Sequence, residues 1–460
     1  MRRVLAICGL TWRAAFRLRL FWVIVVLLFV CVAGLPLLIT DDGTARGFTQ
    51  IILTYTLTVI SALLGLTTLW TACGTLARDI EECQIQVVAV KPVSRWQIWL
   101  GKWLGLVTMN ALLLAMSGAC VYGLMQWRAK RLPIEQQVEL RSEVLVARGS
   151  ARELSVDKEI VEETDRRLAE RLKENPISTV DLPEVRRNIL EQVKAEYQVV
   201  PPGFMRQWKV KVPEPERLRG KPLQLRIKFN ASDGSTLGTF VGLWQVGVPS
   251  KTQLWRSEPM SLAPETFHEF EIPADLYEPD GTLTVTFVNS NQIALLFPLE
   301  DGFEVLYPVG GFAGNFARGL VVLFCWMVLL ATIGLTASTF LSFPVAAFVS
   351  LAMLTVVFSS GTMENAVTDG TIAGFNAEKG TRGFTPLDYV VIPTFKAALQ
   401  VINLAKGFSP IDYLGTGRMI TWAQLGQAVL QIIVLLGGVV AVFGIWVFNR
   451  RELATAQGNQ

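Results

Sequence analysis

Apolar residues in this chain fall in blocks toward both ends and leave a long polar middle. Six blocks are long enough to cross a bilayer as helices, which takes roughly 20 apolar residues each. They cover residues 20–39, 51–73, 103–125, 319–337, 343–360 and 425–448. The first, FWVIVVLLFVCVAGLPLLI, carries no charge; a charged side chain at its centre would cost about 2.5–3.5 kcal/mol on insertion scales. It is too long for a cleavable signal, and no small-x-small cleavage site follows it. Only the uncharged residues 336–342 separate the fourth and fifth blocks, and Pro344 opens the fifth. Proline suits a first helical turn, where its missing N–H is not needed. The reading is a tight hairpin of two spans, with one broken helix as the alternative.

The middle has two textures. Residues 134–197 are charged and helical in pattern, with Val156, Ile160, Thr164, Leu168 and Leu172 recurring every fourth residue as one stripe. That stripe fits a spacer or pairing with a second copy. Asp181-Leu-Pro-Glu184 has the acid, early proline and later glutamate of a helix start. From Trp208 the period becomes two, in LQLRIKF, GTFVGLWQV, FHEFEI and TLTVTFV, with Gly, Pro, Asp and Asn between. Six to eight such strands predict a jelly-roll-like β-sandwich. The fold class is therefore a polytopic α-helical membrane protein with six transmembrane helices and an inserted α+β domain. Its parts are an amphipathic helix at 1–19, spans one to three at 20–125, a helical region at 126–205, the sandwich at 206–308, and spans four to six at 309–460.

Charge sets the orientation. Basic and acidic residues nearly balance, 42 against 39, too even to argue for nucleic-acid binding, and no nucleic-acid partner is expected. Locally they do not balance. Arg2, Arg3, Arg13, Arg17 and Arg19 precede span one without an acid, and Arg450 and Arg451 follow span six. Arg78, Lys91, Arg95 and Lys102 flank the loop between spans two and three, whereas the loop between spans one and two has Asp41, Asp42 and only Arg46. The positive-inside rule places both termini in the cytoplasm of a cell (inner) membrane protein. Residues 126–308 and the loop 361–421 then lie outside.

Catalytic chemistry is thin. The single histidine, His268, falls on an alternating strand, where an exposed position is expected. No phosphate-binding loop is present: Gly220-Lys221 runs into Pro222. The cysteines, Cys8, Cys31, Cys73, Cys83, Cys120 and Cys325, lie in or beside apolar blocks without metal or disulfide spacing. They read as small packing residues. Catalytic residues, metal ligands and a bound cofactor are all expected to be absent.

The informative stretch is TLARDIEECQIQVVAVKPVSRWQIWLGKWLG, residues 75–105, containing the loop 76–97. Acids cluster at Asp79, Glu81 and Glu82. An amphipathic run follows, and Lys91-Pro92-Val93-Ser94-Arg95 turns the chain into span three, with Ser94 placed to cap that helix. Trp96, Trp99 and Trp103 suit the membrane interface. Along span two, Thr54, Thr58, Ser61, Gly65, Thr68, Ala72 and Thr75 put small and hydroxyl side chains on one face. Such a face packs helices closely or lines a path. Gln427 and Gln431 in span six raise the same two readings.

The loop resembles the one between spans two and three of ABC type-2 exporter permeases (ATP-binding cassette family). Glu81/Glu82, a short coupling helix at 84–90, Pro92-Val93-Ser94-Arg95 and Gly101-Lys102 carry the resemblance. Cys83-Gln84 stands where the family usually has Gly-Thr. The arginine-rich start, with Leu5, Leu10, Trp12, Phe16 and Leu20, is similar to the family's in-plane elbow helix, and basic amphipathic helices lie in the interface on physical grounds too. The ending GIWVFNRREL and residues 388–413 are similar to the family's last span and outer re-entrant or surface helices. The large insert has no counterpart in the common pattern.

The resemblance implies a permease half that pairs as a homodimer or with a related permease. It implies a separate ABC ATPase as partner, holding ATP and Mg. Arg78, Asp79, Glu81, Glu82, Lys91, Pro92, Ser94 and Arg95 are the implied coupling residues, with the glutamates facing the ATPase or the elbow. Two other readings compete: a membrane-anchored extracytoplasmic binding or scaffold protein without transport, and an intramembrane enzyme. The acid–helix–Pro-Val-Ser-Arg arrangement speaks against the first, and the scarcity of histidine and of paired intramembrane acids against the second.

Overall fold

The computed structural model describes residues 1–17, 19–38, 45–82, 93–153, 156–174, 182–232, 238–249, 251–372, 375–376, 381–382 and 387–451. The chain forms two compact units, one of Met1–Val146 with Gly311–Gln460 and one of Ala147–Gly310.

The first unit begins with α1 (Arg2–Arg17), α2 (Arg19–Leu38), α3 (Ala45–Glu81), α4 (Arg95–Ala129) and α5 (Ile134–Glu143). The chain then enters the second unit, which holds α6 (Asp157–Glu174) and α7 (Leu182–Gln198). It returns as α8 (Phe312–Ala337), α9 (Phe343–Phe358), α10 (Ser360–Asp369), α11 (Asp388–Lys406), α12 (Pro410–Gly415) and α13 (Trp422–Ala428). A π-helical stretch, Val429–Gly437, leads into α14 (Gly438–Arg450).

Among the described residues, four helices are long and apolar enough to span a membrane alone: Thr49–Glu81, Arg95–Ala129, Phe312–Ala337 and Trp422–Arg450. The count reaches six if α1–α2, bent by 74°, and α9–α10, bent by 50°, each make one span. The fifth apolar block is shorter as a helix than its composition suggests. At 16 residues and ~1.5 Å rise, α9 is about 24 Å long against ~30 Å of hydrocarbon. Residues 338–342 separate α8 from α9, and Ser342 sits in extended backbone before Pro344. Two separate helices, α8 and α9, therefore form here.

The bundle core is aliphatic. Leu53, Leu57 and Leu64 of α3 and Leu28 of α2 have no exposed surface. Two indoles stitch helices together, Trp12 Nε1 donating to Thr108 Oγ1 at 2.9 Å and Trp103 Nε1 to Thr332 Oγ1 at 2.9 Å. α5 belongs with this unit: Leu140, Val144 and Leu145 join the same apolar core. The inserted unit thus begins at Ala147 rather than near Gln126, because the polar-looking stretch after α4 folds back onto the bundle.

In the second unit, one antiparallel sheet runs β3 (Met205–Lys211), β10 (Thr282–Asn289) and β6 (Phe240–Val246), with β7 (Trp255–Arg256) and β8 (Met260–Leu262) both pairing β6. The other runs β1 (Val146–Ala151), β12 (Phe303–Gly311), β4 (Leu223–Ile227) and β9 (His268–Ile272). A small third sheet joins β2 (Val199–Val200), β11 (Leu295–Leu296) and β5 (Asn230–Ala231). Alternate residues of both large sheets meet in one core around Trp208, Trp244, Phe287 and Phe303, with Trp208 stacked 4.6 Å from Phe303. Val156, Ile160 and Leu168 of the helical stripe pack on Val185, Ile189 and Val193 of α7, so this chain covers its own stripe.

His268 is half-buried rather than exposed. Its Nε2 lies 2.7 Å from the Ala263 carbonyl and its ring stacks on Phe229. The other face of the β4 sheet carries buried charge. Arg148 lies 3.0 Å from Glu269, and Arg226 lies 3.6 Å from Glu269 and 3.4 Å from Glu304.

Candidate coupling site

The ends of α3 and α4 that flank the loop between them carry most of the residues expected from sequence to couple to an ATPase. Their chemistry is that of helix termini, where four N–H or four C=O groups lack intrahelical partners. Arg95, first residue of α4, serves the carboxyl end of α14. Its Nη1 donates to the carbonyls of Phe448 at 3.1 Å, Asn449 at 2.9 Å and Arg451 at 2.6 Å. A cation there also meets the negative end of the helix dipole. Arg451 continues the chain of contacts, its Nη1 donating to the Thr339 carbonyl at 2.7 Å just past α8.

Glu81, last residue of α3, accepts the backbone N–H of Phe343 at 2.9 Å and so caps the first turn of α9. One turn earlier, the Arg78 guanidinium lies 4.3 Å from the centre of the Phe343 ring. Glu81 thus reaches the start of α9. Lys102, nearly buried, pairs with the Asp79 carboxylate and donates to the Thr75 carbonyl at 2.8 Å. A buried ammonium requires such partners.

Ser94 departs from expectation. Its backbone is extended, but its side chain makes no capping bond. Its carbonyl instead accepts from Gln97 N at 2.9 Å and Ile98 N at 3.3 Å. Glu82 is exposed at the end of the described segment, and Lys91, Pro92 and the expected coupling helix at 84–90 lie outside the described residues.

Beneath these polar ties lies one apolar cluster drawn from five helices: Ile7 of α1, Leu76 of α3, Ile98 and Trp99 of α4, Leu335 of α8 and Phe448 of α14. α1 docks onto α4 where Gly101 and Gly105 leave room. A Cβ on Gly101 would stand 2.7 Å from Ile7 Cβ, and one on Gly105 2.7 Å from Thr11 Cβ. Leu5, Leu10 and Phe16 remain exposed on α1.

The span-two stripe divides. A Cβ on Gly65 would meet Leu330 of α8 at 3.3 Å, while Thr68 and Ala72 are fully buried. Thr58, Ser61, Thr68 and Thr75 donate to carbonyls four residues back, at Thr54, Leu57, Leu64 and Thr71. Thr58 is exposed, and Thr54 and Ser61 are half-buried. Gln427 is exposed and Gln431 half-buried at the start of the π-helical stretch.

Three partners escaped the sequence reading: Thr339, Phe343 and Arg451 as a latch. Their contacts use backbone groups, which have no sequence signature. Asn110 of α4 was also passed over; it is 1% exposed and neither amide atom has a hydrogen-bond partner in the structure described.

Residues 5–141 match the ABC-2 family transporter protein model. The match spans α1 to α4, most of α5 and the loop between α3 and α4, and it supports reading this segment as part of an ABC-2 type permease. No curated protein and no solved structure matches the chain.

Proposed function

We propose that this ABC-2 type permease is the membrane subunit of an ATP-driven exporter, working as a dimer with a separate ATPase that holds ATP and Mg. The observation that carries the proposal is the set of ties around the α3–α4 loop. Arg78 and Glu81 hold the start of α9, Arg95 holds the end of α14, and Lys102 and Asp79 lock α3 to α4. A push on this loop is delivered to both halves of the bundle, because the two helix ends that flank it are pinned to the second half. Glu82, Lys91, Pro92 and Ser94 complete the surface offered to the ATPase.

In this reading the termini and the α3–α4 loop are cytoplasmic, and Ala147–Gly310 lies outside with the loop 361–421. The strand orders 1-12-4-9 and 3-10-6-8 support the jelly-roll reading, since counting the eight strands along the chain turns them into 1-8-3-6 and 2-7-4-5. The helices α2 and α9 supply spans one and five. Gly65 and Thr68 serve helix packing, while Thr54, Thr58, Ser61, Gln427 and Gln431 remain available to a path between two copies. Asn110 adds an interior polar position of the kind that marks function inside a membrane.

Detergent pull-down of the full chain, with mass-spectrometric identification of what it retains, tests the proposal. An ATP-binding protein with a phosphate loop should co-purify, and Glu81→Lys with Glu82→Lys should release it or uncouple its ATPase from transport. Recovery of the chain alone, with wild-type transport in the double variant, contradicts the proposal.

A further inference from the structure

At the end of α4 remote from the coupling loop, the bundle carries a feature that coupling does not use. A shallow, open slot lies between α2, α3 and α4. Its walls are mostly apolar, with Val32 from α2, Thr56 from α3, and Val121, Leu124 and Met125 from α4. Thr56 Oγ1 donates to the Ile52 carbonyl, so this hydroxyl is spent on its own helix. Arg128 closes the rim, in the last turn of α4.

The position fixes the depth. α4 has 35 residues, about 52 Å at ~1.5 Å each, which exceeds the ~30 Å of hydrocarbon. An α4 that crosses a bilayer from Arg95 would bring Arg128 beyond the hydrocarbon, on the side opposite Arg95. Trp127 beside it is exposed, and Arg131 lies with its guanidinium 3.7 Å from that indole ring. Lys130 is exposed too, and no acid occurs between Gln126 and Pro133. Three cations thus gather at the end that the positive-inside bias leaves poor in them.

We infer that this slot is a binding site for one anionic phospholipid, an acyl chain lying between α2, α3 and α4 and the phosphate meeting Arg128. An apolar slot open at headgroup depth suits a chain whose head stays in the interface. The cations at its mouth select an anionic head over a zwitterionic one, as basic residues at a membrane surface do. The site requires only that the helices lie in a bilayer and is independent of whether an ATPase drives the protein.

Native mass spectrometry of the full chain, delipidated and titrated with phosphatidylglycerol or phosphatidylcholine, tests the inference. One phosphatidylglycerol per chain should survive activation that strips phosphatidylcholine. Arg128→Gln should weaken that retention about fivefold, the equivalent of ~1 kcal/mol per cation. Leu124→Trp, a change at an exposed wall residue, should block the slot and lower retention as much with Arg128 intact. Equal retention of the two lipids overturns the inference. So does wild-type retention by Arg128→Gln, which would assign that arginine to partners within the protein. If only Leu124→Trp retains the lipid, the cations attract it without a slot, and the inference falls. Unchanged thermal unfolding of Arg128→Gln keeps the comparison valid should the tryptophan variant fold poorly.

Discussion

At the residue scale, the account rests on charges that satisfy backbone groups. Arg95 is the clearest, because its guanidinium serves three carbonyls at the end of α14. Hydrogen bonds to charged groups are worth about 1.5–3 kcal/mol each in favourable settings, and part of that returns when water replaces them. Arg95→Ala should therefore lower the melting temperature in detergent by several degrees, while Arg95→Lys, a point charge without the planar fork, recovers only part. Asp79→Asn leaves Lys102 buried beside a neutral amide and should cost about 1–3 kcal/mol, read in the same melt. In the inserted unit, Glu269 touches both Arg148 and Arg226, with side chains no more than 6% exposed. Glu269→Ala removes a shared carboxylate from both guanidiniums, leaving Arg226 with Glu304 and Arg148 with Gln224, and should destabilise by about 1–3 kcal/mol. Hydrogen exchange in β4 and β9 should rise while that in α3 stays unchanged; unchanged exchange in β4 would show the network to be idle.

At the element scale, much of the fold was legible and some was not. Periodicity places β4, β6, β9 and β10 within two residues of where they form, because alternation is what a half-buried strand demands. The charge-free run at 20–39 becomes α2, and the stripe from Val156 becomes one face of α6. The polar sequence of α5 reads as part of the insert, yet the Leu140–Leu145 segment packs on the bundle. A few buried side chains outweigh composition there. The site was half legible. Acids, arginines and the Ser-Arg turn stand out in the sequence, but the groups they bind are carbonyls and N–H groups of α9 and α14, far along the chain. The expected hydroxyl cap of Ser94 gave way to its carbonyl. The docking of α1 also depends on an absence of side chain at Gly101. Gly101→Leu should lift α1 from α4 at an overpacking cost of about 1–3 kcal/mol, seen as raised hydrogen exchange of residues 4–12 with α8 unaffected. Wild-type exchange there would separate α1 from the coupling cluster.

At the scale of the whole molecule, the protein is two machines' worth of physics in one chain. A helical bundle holds its polar groups at helix ends and between helices, and a soluble unit with an aromatic core of its own interrupts it in sequence. In the proposed reading, force from a partner ATPase enters at the loop between α3 and α4, and the ties from Arg78, Glu81 and Arg95 carry it onward. The most direct measurement is photocrosslinking in living cells from a benzophenone side chain placed at Trp96, which is exposed beside that loop. The account expects a crosslinked cytoplasmic ATP-binding protein with a phosphate loop, identified by mass spectrometry. Crosslinks only to proteins outside the cytoplasm, or abundant crosslinks without any ATPase among them, would contradict it.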